Sequence, residues 1–190
     1  MNNLYITADT HFGYAAVLTK MKRFGFRDIE DHDRQVLDCI NAKVDVEDFL
    51  IIVGDFAHPG KARYYRNEIK CSKVIMVMGN HDKRGECTEV FGCAHDMYQM
   101  PFLTGELSSV FCHYPMAFWD NSHKGAYHFY GHCHTQREAT LDTAFPQRRS
   151  MDVGVDNAMR LLGKPEPFHE QELLDILKDR SGHDPVEFYL

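Results

Sequence analysis

The run Leu4-Tyr5-Ile6-Thr7-Ala8-Asp9-Thr10-His11 sets a short apolar stretch directly against a carboxylate and an imidazole. Its first five residues, rich in β-branched and aromatic side chains, read as a buried strand of the kind found in parallel sheets. In an extended chain, residues two apart face the same side, so Asp9 and His11 address one point in space. The pattern recurs. Residues 49–53 run into Gly54-Asp55, and residues 74–78 into Gly79-Asn80-His81-Asp82. Between the first two runs, Ile29, Val36, Leu37, Ile40 and Val44 share one helical face. Residues 61–69 fit a second helix. Strand, helix, strand, helix, strand predicts a parallel sheet with crossover connections. Ligands of such sheets bind outside the carboxyl ends of the strands, so three consecutive strands deliver polar groups to one edge.

Two further runs end in histidine. Residues 109–112 precede His113, and residues 127–130 precede Gly131-His132-Cys133-His134. The His-x-His spacing points both imidazoles one way and Cys133 the other, to pack rather than ligate. Beyond Met97 the helical pattern weakens and strand-like pieces continue to 151–154, which predicts a second, more antiparallel portion. A final helix is expected over 168–178, after the Pro165 and Pro167 breakers, with Leu173, Leu174, Ile176 and Leu177 as its apolar face. The expectation is one domain, residues 1–190, of mixed α/β (α+β) class.

Composition narrows the function classes. The chain has 190 residues, 28 acidic against 21 basic, and a formal net charge of -7. That balance disfavours a stable nucleic-acid scaffold or a polybasic membrane binder, which need excess Lys and Arg. Six scattered cysteines without a CxxC pair predict reduced thiols and a cytoplasmic protein. No apolar run approaches the roughly 18 residues of a membrane helix. The excess is in histidine, 12 in all, and His11, His81, His113, His132 and His134 fall in the strand-end motifs.

Taken singly, Asp9 and Asp55 read as turn aspartates, Asn80 as a helix cap and His113 as a buried core histidine. Taken together with His11, His81, His132 and His134, they form an oxygen and nitrogen donor set without thiolate. The set is large enough for two adjacent cations, with a shared carboxylate as the natural bridge. Such donors suit Mn, Fe, Zn or Ni rather than Mg or Ca.

Asp9-x-His11, Gly54-Asp55, Gly79-Asn80-His81-Asp82, His113 and Gly131-His132-x-His134 resemble the ordered motifs of the calcineurin-like metallophosphoesterase superfamily. Thr7-Ala8-Asp9-Thr10-His11-Phe12-Gly13 and Asp152-Val153-Gly154-Val155-Asp156 are similar to a branch of small bacterial and phage phosphoesterases. The resemblance implies a four-layer αββα sandwich, two packed mixed β-sheets flanked by helices. It implies that Asp9, His11 and His134 hold one divalent ion, that Asn80, His113 and His132 hold a second, and that Asp55 bridges them. Manganese is then the first choice of metal, with Fe, Zn or Ni as alternatives. The implied activity is hydrolysis of a small phosphoester, a phosphodiester or nucleotide-type substrate, by in-line attack of a metal-bridging hydroxide. His81 is the implied catalytic histidine beside Asn80 and Asp55, and Asp82 either orients it or is an ordinary turn or helix-start aspartate.

Two departures from the family pattern matter. Gly54-Asp55 continues as Phe56-Ala57-His58, without the Asp-Arg-Gly of the family's protein phosphatases, which disfavours phosphoprotein substrates. Tyr14 stands where the small branch often has histidine, and either contacts substrate or packs. Arg84 is a candidate phosphate contact, because guanidinium pairs bidentately with phosphate. Tyr114, Phe118 and Trp119 offer an aromatic wall for a nucleobase, or belong to the core. The other classes weighed are a non-catalytic binding protein on the same fold and a nuclease.

Overall fold

A computed structural model describes residues 2–103, 105 and 108–182. In chain order the elements are β1 (Leu4–Thr7), α1 (Ala16–Thr19), α2 (Ile29–Lys43), β2 (Phe49–Val53), α3 (Ala62–Glu68) and β3 (Lys73–Val77). There follow α4 (Arg84–Phe91), β4 (Ala94–His95), β5 (Met97–Pro101), β6 (Ser108–Cys112) and β7 (Tyr127–Tyr130). The last are α5 (Glu138–Ala144), β8 (Ser150–Asp152), α6 (Val155–Leu162), β9 (Phe168–His169) and α7 (Glu170–Leu177). They build two mixed sheets, ordered β4-β3-β2-β1-β9 and β5-β6-β7-β8.

Period-two alternation divides the core. Leu4, Ile6, Ile51 and Val53 face the second sheet and pack with Phe111, Phe129 and Met151. Their alternates Tyr5, Leu50, Ile52 and Met76 face outward, against Val36 and Ile40 of α2, Tyr65 of α3 and Cys87 of α4. Strands β1 and β2 are therefore apolar on both faces, as their sequence requires. Helix α2 starts where Asp28 accepts a hydrogen bond from the Asp31 N–H, at 2.8 Å, an N-cap that satisfies a free donor of the first turn. On the outer face of the second sheet, Arg148 and Glu138 meet the Tyr130 hydroxyl and anchor α5.

Two expectations need correction. The second sheet is not mainly antiparallel: β5 pairs antiparallel with β6, but β6–β7 and β7–β8 are parallel. A parallel pair needs a long crossover, and the segment between β6 and β7 contains only a short turn of 3₁₀ helix at Ser122–Lys124, so no helical period announces it. The final helix starts later than residue 168. Phe168 is fully buried and pairs with Ile6 across β1–β9, and α7 begins at Glu170, capped by His169 and Glu172.

Trp119 is core, its indole N–H donating to the Ala126 carbonyl at 2.9 Å, so it forms no wall at the site. Beside it lies His128, fully buried on the same strand as Tyr130. Its Nδ1 faces the Val110 carbonyl at 3.1 Å and its Nε2 accepts from the Met116 N–H at 3.2 Å, an arrangement that fits only the neutral ring. Burial pushes its pKa down to about 4. The unfolded chain takes up that proton near the ordinary value of about 6.5, so stability is lost as pH falls from there toward 4. The loss amounts to about 3 kcal/mol at its limit. Chemical denaturation between pH 7 and 4 should show a steeper decline for wild type than for His128→Asn. Parallel profiles would refute the assignment.

Candidate metal centre

Five strands that end at this rim contribute to one cluster. Asp9 and His11 follow β1, Asp55 follows β2, and Asn80 and His81 follow β3. From the second sheet come His113 after β6 and His132 and His134 after β7. A bridge between Ala8 and Gly154 ties the ends of β1 and β8, so the rims of both sheets meet.

Asp9, His11 and His134 present ligand atoms within 4.8 Å of one another, and so do Asp9, Asp55 and His113. The Nε2 atoms of His11 and His134 face each other at 3.3 Å, each 3.9 Å from Asp9 Oδ1. On the other side Asn80 Oδ1 lies 3.2 Å from His113 Nε2 and 2.9 Å from His132 Nδ1. Asp55 Oδ2 sits between the two groups, 3.7 Å from His11 Nε2 and 3.4 Å from His113 Nε2. The structure thus brings seven of the sequence-derived ligand residues together. Arg84 is placed elsewhere: its guanidinium engages Asp96 and the Ala94 carbonyl. Tyr14 lies against His11 and His81, with ring centroids 5.6 and 5.1 Å away. Tyr114, half-exposed, meets His113 and His132 edge-on.

The residues fit a cation. Asp9 Oδ1 is buried and has no hydrogen-bond partner among the described residues, an expensive condition for a carboxylate unless a positive ion satisfies it. Burial raises the pKa of Asp9, and burial together with the Asp9 charge raises that of Asp152, so a further positive charge at this corner would favour their ionised forms. Burial also drives His11 down to about 2, leaving a neutral ring with a free lone pair. Burial likewise opposes the charged form of Asp55, but its hydrogen bond with His113, the His113 charge and the His81 backbone N–H outweigh it and hold the carboxyl at about 2. The donor types match Mn, Fe, Zn or Ni.

Close backbone approach explains two of the motif glycines. A Cβ at Gly79 would stand 2.2 Å from Asp55 Oδ1, and one at Gly131 would stand 2.5 Å from Asp9 Oδ2. Asp9, His11, Asp55, His132 and His134 all adopt positive φ, an uncommon conformation for residues other than glycine. Hydrogen bonds to buried carboxylates hold it in place. His132 N–H donates to Asp9 Oδ2 at 2.9 Å, Thr135 N–H to Asp152 Oδ2 at 3.0 Å, and His81 N–H to Asp55 Oδ1 at 2.8 Å.

Asp82 does not orient the His81 ring. Its carboxylate accepts the N–H groups of Gly79, Asp55 and Phe56, at 2.8, 2.8 and 2.9 Å, and so stitches the loop after β3 to the loop after β2. Sequence reading also gave no role to a buried network behind the cluster. Asp156 Oδ2 accepts from His134 Nδ1 at 2.6 Å, which leaves Nε2 free to ligate. Arg23, 2% exposed, clamps Asp156 through Nε and one terminal nitrogen at 3.1 and 2.7 Å, and also holds the Asp9 carbonyl at 2.8 Å. It continues through His32 to Asp33, which fixes the Gly13 N–H at 2.8 Å. Carboxylates that orient a ligating histidine this way affect metal affinity by about 10–100-fold. Asp156→Asn should weaken metal binding by that factor in a chelator competition titration, and unchanged affinity would disprove the coupling.

Two packed sheets thus bring two linked groups of candidate metal ligands, carboxylate and imidazole, to one rim of a mixed α/β fold. The chain belongs to the calcineurin-like phosphoesterase family, whose pattern matches residues 3–188. It is 25% identical over 159 residues to an uncharacterised protein of Methanocaldococcus jannaschii, covering 82% of this chain and 83% of that one. A crystal structure of a protein of unknown function from Aquifex aeolicus superposes with a TM-score of 0.72 at 21% identity, over 93% of this chain and 100% of the other. That likeness concerns the fold. No helix among the described residues is long and apolar enough to cross a membrane.

Proposed function

We propose that the protein is a hydrolase of small phosphoesters, with phosphodiester or nucleotide-type substrates favoured. In this reading Asp9, His11 and His134 hold one divalent ion, Asn80, His113 and His132 hold another, and Asp55 lies between. The observation that carries it is the position of Asp55 Oδ2, within 3.7 Å of a histidine nitrogen from each group. Manganese is the first choice, with iron, zinc or nickel suited to the same donors. Two such ions, when bound, acidify a water molecule toward neutral pH and neutralise the phosphoryl oxygens.

The chain's residues supply positioning and proton transfer. His81 is half-buried, its backbone pinned by Asp55 and its ring beside Tyr14 and His11. It lines the same cavity as Asn80, His132 and His134. From there it protonates the oxygen that leaves when the P–O bond breaks, the general-acid role that histidine fills most often. Tyr14 limits the freedom of that ring and screens one side of the site. A net charge of -7 and unbridged cysteines suit a cytoplasmic enzyme whose partner is a small phosphoester rather than a nucleic acid.

The direct test offers bis(p-nitrophenyl) phosphate and p-nitrophenyl phosphate to the purified protein with Mn, Ni, Zn or Mg. Release of p-nitrophenol with at least one metal is expected, fastest with Mn. Well-folded protein that releases none with any metal would overturn the reading.

A further inference from the structure

We propose that the cavity beside the cluster is a subsite for a second phosphoryl group of the substrate, recognised by Arg137. The inference rests on the phosphoesterase reading and specifies its substrate class: a phosphoester that carries another phosphate one bridge or one sugar away from the phosphorus attacked. The cavity measures about 340 Å³, in the lower range of pockets that hold small ligands. Its lining includes His81, His132 and His134 together with Met21, Gln136 and Arg137. Arg137 is its only lysine or arginine among the described residues.

What singles out Arg137 is the commitment of the charges around it. Glu138 accepts from the Tyr130 hydroxyl and pairs with Arg148 at 3.4 Å. Asp142 pairs with Arg148 and Arg180, both at 3.0 Å. Asp152 accepts the N–H groups of Thr135 and Gly154, and Asp156 is clamped by Arg23. The carboxylates nearest Arg137 in sequence are thus occupied, and it forms no ion pair among the described residues. Arg23, Arg84 and Arg148 are each neutralised by a carboxylate. Arg137 is exposed at a cavity wall, where a guanidinium can pair bidentately with phosphate.

Its backbone is fixed by the bonds that fix the ligands. Arg137 follows the turn in which His132, His134 and Thr135 have φ of 69°, 45° and 67°. Gln136 N–H donates to Cys133, and Leu141 N–H to the Arg137 carbonyl, both at 2.9 Å. The turn that carries the two imidazoles therefore also carries Arg137 beside them. The Gln136 amide adds a neutral hydrogen-bonding group, and Met21 an apolar face for the remainder of the substrate. The second phosphate is bound but not attacked: water adds at the other phosphorus, the P–O bond to the leaving oxygen breaks, and that oxygen, of a sugar alkoxide or of the phosphate bridge, takes the proton.

The experiment uses the full-length, manganese-loaded protein and two pairs of substrates. One pair is the dinucleotides TpT and pTpT, and the other is AMP and ADP. Wild type should favour the member with the extra phosphate in at least one pair by about tenfold in kcat/KM, mainly through KM, the scale of a charge-assisted hydrogen bond. The pair that responds distinguishes a phosphate across a sugar from one across a pyrophosphate bridge. The preference should collapse toward one in Arg137→Ala and return in part in Arg137→Lys. Arg63→Ala, which removes an exposed side chain on α3 paired with Glu89, should keep it. Calorimetric binding of inorganic pyrophosphate should weaken about tenfold in Arg137→Ala. No preference in wild type, the same preference in Arg137→Ala, or equal pyrophosphate affinity would each overturn the subsite. If no ester is hydrolysed at all, the phosphoesterase reading fails, and pyrophosphate affinity alone decides the subsite.

Discussion

Asp55→Asn is expected to lower phosphoester hydrolysis by about 10³-fold, equivalent to about 4 kcal/mol in the barrier, and to leave the protein with at most one tightly bound ion. The substitution is chosen because it disturbs little else. Residue 55 has a φ of 54°, a left-handed conformation that asparagine tolerates about as well as aspartate. The amide oxygen can still accept the His81 N–H that now reaches Asp55 Oδ1 at 2.8 Å. What changes is Oδ2, the atom between His11 and His113. A carboxylate there is ionised at working pH, because the His113 hydrogen bond and charge and the His81 backbone N–H prevail over burial and hold its pKa at about 2. The variant replaces that negative oxygen with a neutral amide, so two cations close together lose their shared counter-charge. Metal content by plasma mass spectrometry, with rate and thermal midpoint on the same sample, checks the prediction. Retention of two ions with a rate within tenfold of wild type would show that Asp55 does not bridge.

The strand-end logic that makes Asp55 legible in the sequence extends only part of the way. Residues 49–53 end directly in Gly54-Asp55, so the apolar run, the turn and the acid are contiguous, and β2 appears where they place it. The same holds for Asp9, Asn80, His113 and the His132–His134 pair. Asp152, the last residue of β8, and Asp156, in the first turn of α6, stand in a motif that the sequence displays, but the sequence does not show which groups they hold. Behind the site legibility fails for a physical reason. His32 and Asp33 lie on the buried face of α2, three and four residues after Ile29, where the period asks for apolar side chains. A polar pair on that stripe signals a buried partner but does not name it. The partner is Arg23, from a loop with no regular period, and only the folded chain brings its guanidinium to Asp156 and His32. Asp82 illustrates a related ambiguity: its side chain serves three backbone N–H groups in two loops, and backbone donors leave no pattern in the sequence.

His81→Ala is expected to separate binding from chemistry in a way that Asp55→Asn does not. The His81 ring belongs to neither group of converging ligand atoms, and its hydrogen bond to Asp55 runs through its backbone N–H, which alanine retains. Metal content and thermal midpoint should therefore stay near wild type, while kcat falls by about 10²–10⁴-fold, the range of general acid catalysis. The loss should depend on the leaving group. p-Nitrophenolate departs without a proton, whereas the alkoxide of a sugar does not, so a nucleotide-type ester should suffer more than bis(p-nitrophenyl) phosphate. If His81 instead only positioned Asn80, both esters would lose the same factor and metal affinity would fall with them. Equal losses across leaving groups, accompanied by loss of metal, would therefore assign His81 to the ligand framework and leave the proton to solvent.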